Sequence, residues 1–253
     1  MRVGTVYERS KVPLHKWVLA THLLAASKKG MSAHQLHRML GITYKTAWFM
    51  AHRIRESMID DNPEPMGGEG EAIQADETYF GKVEHPRTET TSGRPFTKSG
   101  KFGPSNKHAI VSLVSKGKAR TFHVKNANAR TVRQILVTNA HRESELHTDE
   151  SRIYTRVGSE FSAHRTVNHS AKEYVGKHGQ TTNACENYFS IFKRGMKGVY
   201  QHCAEKHLQR YINEFDFRYN TRDLEDAERA AIAHKQAEGK RLTYRRTGQA
   251  DHA

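Results

Sequence analysis

The chain has 253 residues, enough for one large domain or one domain with a small appendage. Its 36% apolar content, with ten Phe, ten Tyr and two Trp, excludes wholesale disorder, and no 18-residue apolar run exists to form a membrane span. Forty-one Lys and Arg against 27 Asp and Glu give a net charge of +14, which points to a polyanionic partner, most simply nucleic acid. The first residues lack the apolar core of a secretory signal. Only Cys185 and Cys203 are present, too few for a disulfide framework or a four-cysteine zinc site. A reducing cytoplasm is the expected compartment.

Residues 13–58 read as helical. Pro13 suits a first turn, and Leu14, Trp17, Val18, Thr21 and Leu24 recur on one face. A second helix starts at Ser32, with Gln35 three residues on as a capping box, and Gly41 ends it. Thr43 caps a third helix from Tyr44 to about Met58. This layout predicts a helix-turn-helix whose last helix enters the major groove. Tyr44, Lys45 and Trp48 would then face bases, with His52, Arg53 and Arg55 near phosphates. The competing reading is a plain three-helix unit with Trp48 and Phe49 in its core. His37 fits the motif poorly, because a small residue is usual there.

The Pro-, Gly- and acid-rich stretch 59–71 reads as a linker. Ala72–Phe80 reads as a strand. Residues 82–107 form a long loop with six basic residues (Lys82, Arg87, Arg94, Lys98, Lys101, Lys107) and two acids (Glu84, Glu89), suited to a nucleic-acid backbone or to a hairpin tip. Residues 109–114 and 120–124 predict a hairpin around Ser115–Lys118. A helix follows at 129–139, then a short strand ending at 146–147. Residues 181–222 return to helix, with Leu208, Tyr211, Ile212, Phe215 and Tyr219 as a core face. The polar tail beyond Asp223 is expected to fray. The domains expected are therefore 1–58 (helix-turn-helix), 59–71 (linker), 72–222 (catalytic) and 223–253 (tail).

Three acids stand out by context. Asp76 lies inside the first strand, Asp149 just after a short strand, and Glu186 in the first turns of a helix. A carboxylate in such a place is costly unless paired, hydrogen-bonded or metal-bound. Together the three suit two divalent cations, Mg²⁺ or Mn²⁺, of the kind that serve in-line phosphoryl displacement. Taken singly, each reads more simply as an ordinary solvated acid or a helix cap, Asp149 as the cap of a following helix; the order of the elements is what favours the metal site.

The segments QADETYFGK (74–82), LHTDESRIY (146–154), VNHSAKEYV (167–175), TTNACENYFSIFKRGMKGVYQH (181–202) and HLQRYINEFDFRYNTR (207–222) resemble those of bacterial insertion-sequence transposases. The resemblance covers roughly residues 1–225. It is to the DDE-type subgroup that joins an N-terminal zinc ribbon and helix-turn-helix to a ribonuclease-H-like domain. It implies an α/β fold with a mixed sheet flanked by helices, behind a small all-α domain. It implies Asp76, Asp149 and Glu186 as the catalytic and metal-binding acids. Lys193 matches the basic residue that follows the third acid, and Asn183 lies one turn before Glu186, placed to orient it, touch DNA or cap the helix. The implied partners are double-stranded DNA at element ends and target, and further copies of the chain. No Cys precedes Cys185, so the ribbon is missing and no zinc is expected; the scattered His do not replace it. Two readings compete with a transposase: a DNA-binding derivative without transposition, and a stand-alone nuclease of ribonuclease-H type.

Overall fold

The computed structural model describes residues 3–84, 93, 106–167 and 179–243. Most of the basic loop, including Arg87, Arg94, Lys98 and Lys101, lies outside these residues, as does most of the 167–175 motif. The chain divides into two compact units. One holds Met1–Asn62, Arg194–Gln201 and Asn213–Ala253, and the other holds Pro63–Lys193 and His202–Ile212.

The first unit opens with α1 (Leu14–Ala26), α2 (Ala33–Leu40) and α3 (Tyr44–Ser57). Caps fix their limits. Ser32 Oγ accepts from the Gln35 amide at 3.1 Å and Thr43 Oγ1 from the Thr46 amide at 3.2 Å, each meeting an amide that the helix cannot pair. Gly41 ends α2 in the left-handed conformation, at φ 58°. The His37 ring bonds the Ile42 carbonyl, so this side chain closes the α2–α3 turn. Trp17, Thr21 and Leu24 are buried as the periodicity predicts, but Val18 points to solvent.

The second unit is built on a five-stranded sheet of order β3-β2-β1-β4-β5. Its strands are β1 (Ala72–Phe80), β2 (His108–Ser115), β3 (Lys118–Val124), β4 (Glu145–Asp149) and β5 (Ala163–Val167). The β2–β3 hairpin turns through Lys116 and Gly117, both at positive φ (48° and 71°), the conformation a two-residue turn needs to follow strand twist. β1 pairs antiparallel to β2, and β4 runs parallel to β1 and to β5. Parallel neighbours need crossovers, supplied here by α4 (Ala129–Asn139) and α5 (Arg152–Gly158). Strand alternation then sorts the faces. Ile73, Ala75, Val111, Leu113 and Leu146 pack with Val132, Leu136, Tyr154 and Val157 of α4 and α5. The opposite face, carrying Asp76, Ser112 and Phe80, receives α6 (Asn183–Gly195) and the start of α7 (Glu205–Asn220). β5 is absent from the sequence reading because its residues, AHRTV, do not alternate in polarity; parallel pairing with β4 creates it.

The expected linker is partly built in. Met66 is buried, and its backbone pairs with Asn139 and His141 at 2.8 and 2.9 Å. The tail expected to fray is helical over its first part, while residues 244–253 lie outside the described residues. Glu225 and Glu228 form a capping box that starts α8 (Asp226–Lys235), whose Ala230 and Ala233 join the core of the helical unit with Trp17, Leu36 and Ile54. The boundary expected at Arg222 is displaced too, because Asn213 onward belongs to the helical unit.

Candidate active site

β1 and β4 lie side by side in register, Ala72 opposite Glu145 and Gln74 opposite His147. Paired contact ends there, and two residues further along each strand come Asp76 and Asp149. Equal offsets on adjacent parallel strands place the two acids at one level on one face. This is the carboxyl end of the parallel pair, where open α/β sheets leave a crevice.

Glu186 comes from α6, whose first turn is fastened to β1. The Gln74 side-chain oxygen accepts from the Ala184 amide at 2.9 Å, meeting one of the unpaired amides of the helix start. The buried Cys185 thiol donates to the carbonyls of Gln74 and Ser112. Residues 184 and 185 are thus tied to the sheet, and Glu186, the next residue, is exposed beside it.

The charges of Asp149 and Glu186 act on Asp76. The Asp76 carboxyl is pushed up to about 7, first by burial and then by the charges of Glu77, Asp149 and Glu186; its bond from the Glu77 amide opposes this only in part. Glu77 is also raised, by burial above all, with Asp149 adding to it and the hydrogen bond from Tyr154 opposing. The Tyr154 hydroxyl donates to Glu77 Oε2 at 2.8 Å and turns that side chain toward α5. Glu77 is an acid that the sequence did not single out. Asp149 Oδ1 accepts from the Ser151 amide at 3.0 Å, which fixes the carboxylate in the turn between β4 and α5; the N-cap of α5 is Ser151, not Asp149. Lys193 is half-buried on α6, seven residues and two turns beyond Glu186 and on the same face; Asn183 is exposed at the start of the helix.

In the helical unit the expectations divide. Tyr44 and Lys45 are exposed at the start of α3, Tyr44 with its ring stacked on His34 at 4.2 Å. Trp48 is half-buried with its ring 4.2 Å from His52. His52, Arg53 and Arg55 are buried, which corrects their expected place near phosphates. Arg53 donates to the Glu8 carbonyl at 2.6 Å and lies over the rings of Trp17 and Phe49. Arg55 bonds Glu214 at 2.6 Å, with side-chain exposures of 3% and 0%, and packs over Tyr200. Arg218 bonds the other Glu214 oxygen. Both arginines of α3 are therefore spent inside the fold.

A five-stranded mixed sheet of this order, flanked by helices, is a ribonuclease-H-like fold, and the protein is an enzyme of the polynucleotidyl-transferase class. Residues 68–220, more than half of the chain, match the ISXO2-like transposase domain, and the chain belongs to that family of insertion-sequence transposases. It is similar to an uncharacterized protein in transposable element ISH50 of Halobacterium salinarum, 26% identical over 224 residues, or 86% of this chain and 73% of the relative. Among solved structures it is similar to a pre-cleavage Mos1 transpososome (11% identity, TM-score 0.34, 91% of this chain and 82% of the other). It is also similar to the catalytic core domain of HTLV-2 integrase in complex with magnesium (12% identity, TM-score 0.30, 67% and 84%). Among the described residues no helix is long and apolar enough to cross a membrane.

Proposed function

We propose that Asp76, Asp149 and Glu186 are the catalytic acids, and that they hold two Mg²⁺ or Mn²⁺ ions for cleavage of double-stranded DNA at element ends and transfer of the freed strand into a target. The observation that carries this is the register that sets Asp76 and Asp149 at one level on one face of the sheet, with the first turn of α6, which bears Glu186, fastened to β1. Carboxylates crowded on one face repel each other unless a cation joins them, and an all-oxygen donor set suits these hard ions. When bound, such a pair activates the attacking oxygen and stabilises the leaving one. The chain's own residues prepare the place: the Gln74 amide oxygen and the Cys185 thiol orient the start of α6, Tyr154 holds Glu77, and Lys193 offers a cation to a DNA phosphate on the Glu186 face. Tyr44, Lys45 and Trp48 at the start of α3 read the duplex. One triad per chain and two ends per element call for at least two copies on DNA, acting in the cytoplasm.

The test is a cleavage and strand-transfer assay on duplexes carrying the inverted repeats that flank the gene, with and without Mg²⁺. Cleavage without strand joining would favour a stand-alone nuclease, and binding without cleavage would favour a DNA-binding derivative. Binding is expected to weaken steeply with salt, through counterion release. Lys45→Ala should lower affinity and flatten the log–log salt slope by about one, measured by fluorescence anisotropy. An unchanged slope would remove Lys45 from the interface.

The Asp76 proton gives a second readout. Its folded value of about 7 lies above its ordinary 3.8, so the metal-free fold holds an extra proton between these values. This group's contribution to stability is therefore greatest below about pH 4 and declines as pH rises to about 7. Mg²⁺ must displace that proton. Calorimetric titration in buffers of different ionisation enthalpy should show about one proton released at pH 6 and close to none at pH 8.5. Equal release at both would contradict the assignment.

A further inference from the structure

Away from the acid triad, the sheet unit brings three further metal-binding side chains together. His108 is the first residue of β2, His123 lies near the end of β3, and Glu205 is the first residue of α7. His108 is paired with Phe80 and His123 with Ile110, so both imidazoles stand on the face that α7 covers. Their rings meet edge-on, 5.4 Å apart at 84°. Glu205 reaches both: Oε2 is 3.9 Å from His108 Nδ1 and Oε1 is 3.9 Å from His123 Nε2. All three ligand atoms lie within 4.8 Å of one another.

We infer that His108, His123 and Glu205 form a Zn²⁺ site that fastens the β2–β3 hairpin to the start of α7. Zinc bonds of about 2.0–2.1 Å in a tetrahedron place ligand atoms about 3.3 Å apart, so donors already within 4.8 Å of one another need close by at most about 1.5 Å. Glu205 can supply that movement, because its side chain is 46% exposed, whereas the His108 side chain is 5% exposed and fixed. The backbone beneath is already set. Gln209, one turn along α7 from Glu205, accepts from the His123 amide at 2.7 Å and donates to the Thr121 carbonyl at 3.0 Å. Gly81 lies against the His108 ring; a Cβ there would come within 3.3 Å of it. Exposure rises from His108 through His123 to Glu205, which leaves the fourth position facing solvent for a water.

The donor chemistry separates this site from the triad. Two imidazoles and one carboxylate favour zinc over magnesium, whereas three carboxylates favour the reverse. His108 also lies four residues along the sheet from the level of Asp76, about 13 Å at 3.3 Å per residue. The site departs from the expectation of a zinc-free chain. That expectation rested on the lack of any Cys before Cys185 and on the scatter of the His, and a site that joins two strands and a helix has no local sequence signature.

The experiment uses the untagged full chain, dialysed against micromolar Zn²⁺ in millimolar Mg²⁺, with bound metal measured by emission spectrometry and melting followed by circular dichroism. One equivalent of zinc is expected. The melting temperature should rise by about 5–10 °C at a hundredfold excess over Kd. Glu205→Gln, at an exposed position that leaves the fold intact, should weaken zinc binding at least tenfold, and His123→Ala more. Asp76→Asn should keep the full equivalent. The inference is overturned if the chain takes up no zinc, if Glu205→Gln and His123→Ala bind it as the parent does, or if Asp76→Asn abolishes binding.

Discussion

Asp76→Asn is expected to lower strand cleavage by at least about a thousandfold, equivalent to about 4 kcal/mol of transition-state stabilisation. The same substitution should raise the stability of the metal-free protein at pH 8. A neutral amide removes a buried charge that Glu77, Asp149 and Glu186 all repel. A shift of the carboxyl from 3.8 to about 7 corresponds to roughly 4 kcal/mol at most, and relaxation around the side chain will reduce it. Thermal melts in a chelator, alongside the cleavage assay, measure both effects. Opposite changes in activity and stability mark a functional carboxylate. A variant that loses both would show Asp76 to be an ordinary structural group, and one that cleaves like the parent would end the proposal.

The second large effect is expected at Glu214. This carboxylate is fully buried between Arg55 and Arg218, and Tyr200 donates to it as well. Burial alone would raise its pKa, but Arg218 and Arg55 together outweigh that and hold it below the usual carboxylate range. Glu214→Ala leaves two guanidinium groups buried without their partner, which costs about 3–5 kcal/mol. The melting temperature should fall by roughly 6–20 °C. Since the folded value is depressed, this contribution is present at neutral pH and is lost as pH falls below the ordinary carboxylate range. Replacing Arg55, Glu214 and Arg218 together with apolar residues of similar volume should restore most of the loss. A single Glu214→Ala variant that melts like the parent would refute the account. Arg55→Ala is likewise expected to lose DNA binding by unfolding the helical unit, whereas Lys45→Ala should lose it with the fold intact.

The burial of Arg55 also shows where sequence reading reaches its limit. An arginine in an amphipathic helix reads as solvent-facing, and its partner lies 159 residues away. No local pattern reports such a pair. The same holds for Arg53, held by a backbone carbonyl 45 residues away. β1, the β2–β3 hairpin, α4 and β4 were legible, because alternation, turn residues and caps are local signals. α8 was not. Its sequence, DAERAAIAHK, is polar overall, and its apolar contribution to the core is limited to Ala230, Ile232 and Ala233. The placement of Asp76 in a strand and of Glu186 in the first turn of a helix was legible from their flanking patterns, whereas Asp149, read as lying just after a strand, is the last residue of β4. Glu77 was not, because one acid beside another in a strand does not reveal which face carries the chemistry.

The division of the chain bears on its synthesis. The helical unit draws its core from both ends of the sequence, with Trp17, Leu36 and Ile54 from the first and Phe217, Ala230, Ala233 and Ala237 from the second. The sheet unit is almost wholly continuous and lies between them. A ribosome adding about 5–20 residues per second makes α8 roughly 10–30 s after α3. During that interval α1–α3 leave their apolar faces uncovered while the sheet folds. The helical unit is thus finished last, so a nascent chain can complete its sheet before the core beneath α1–α3 is closed.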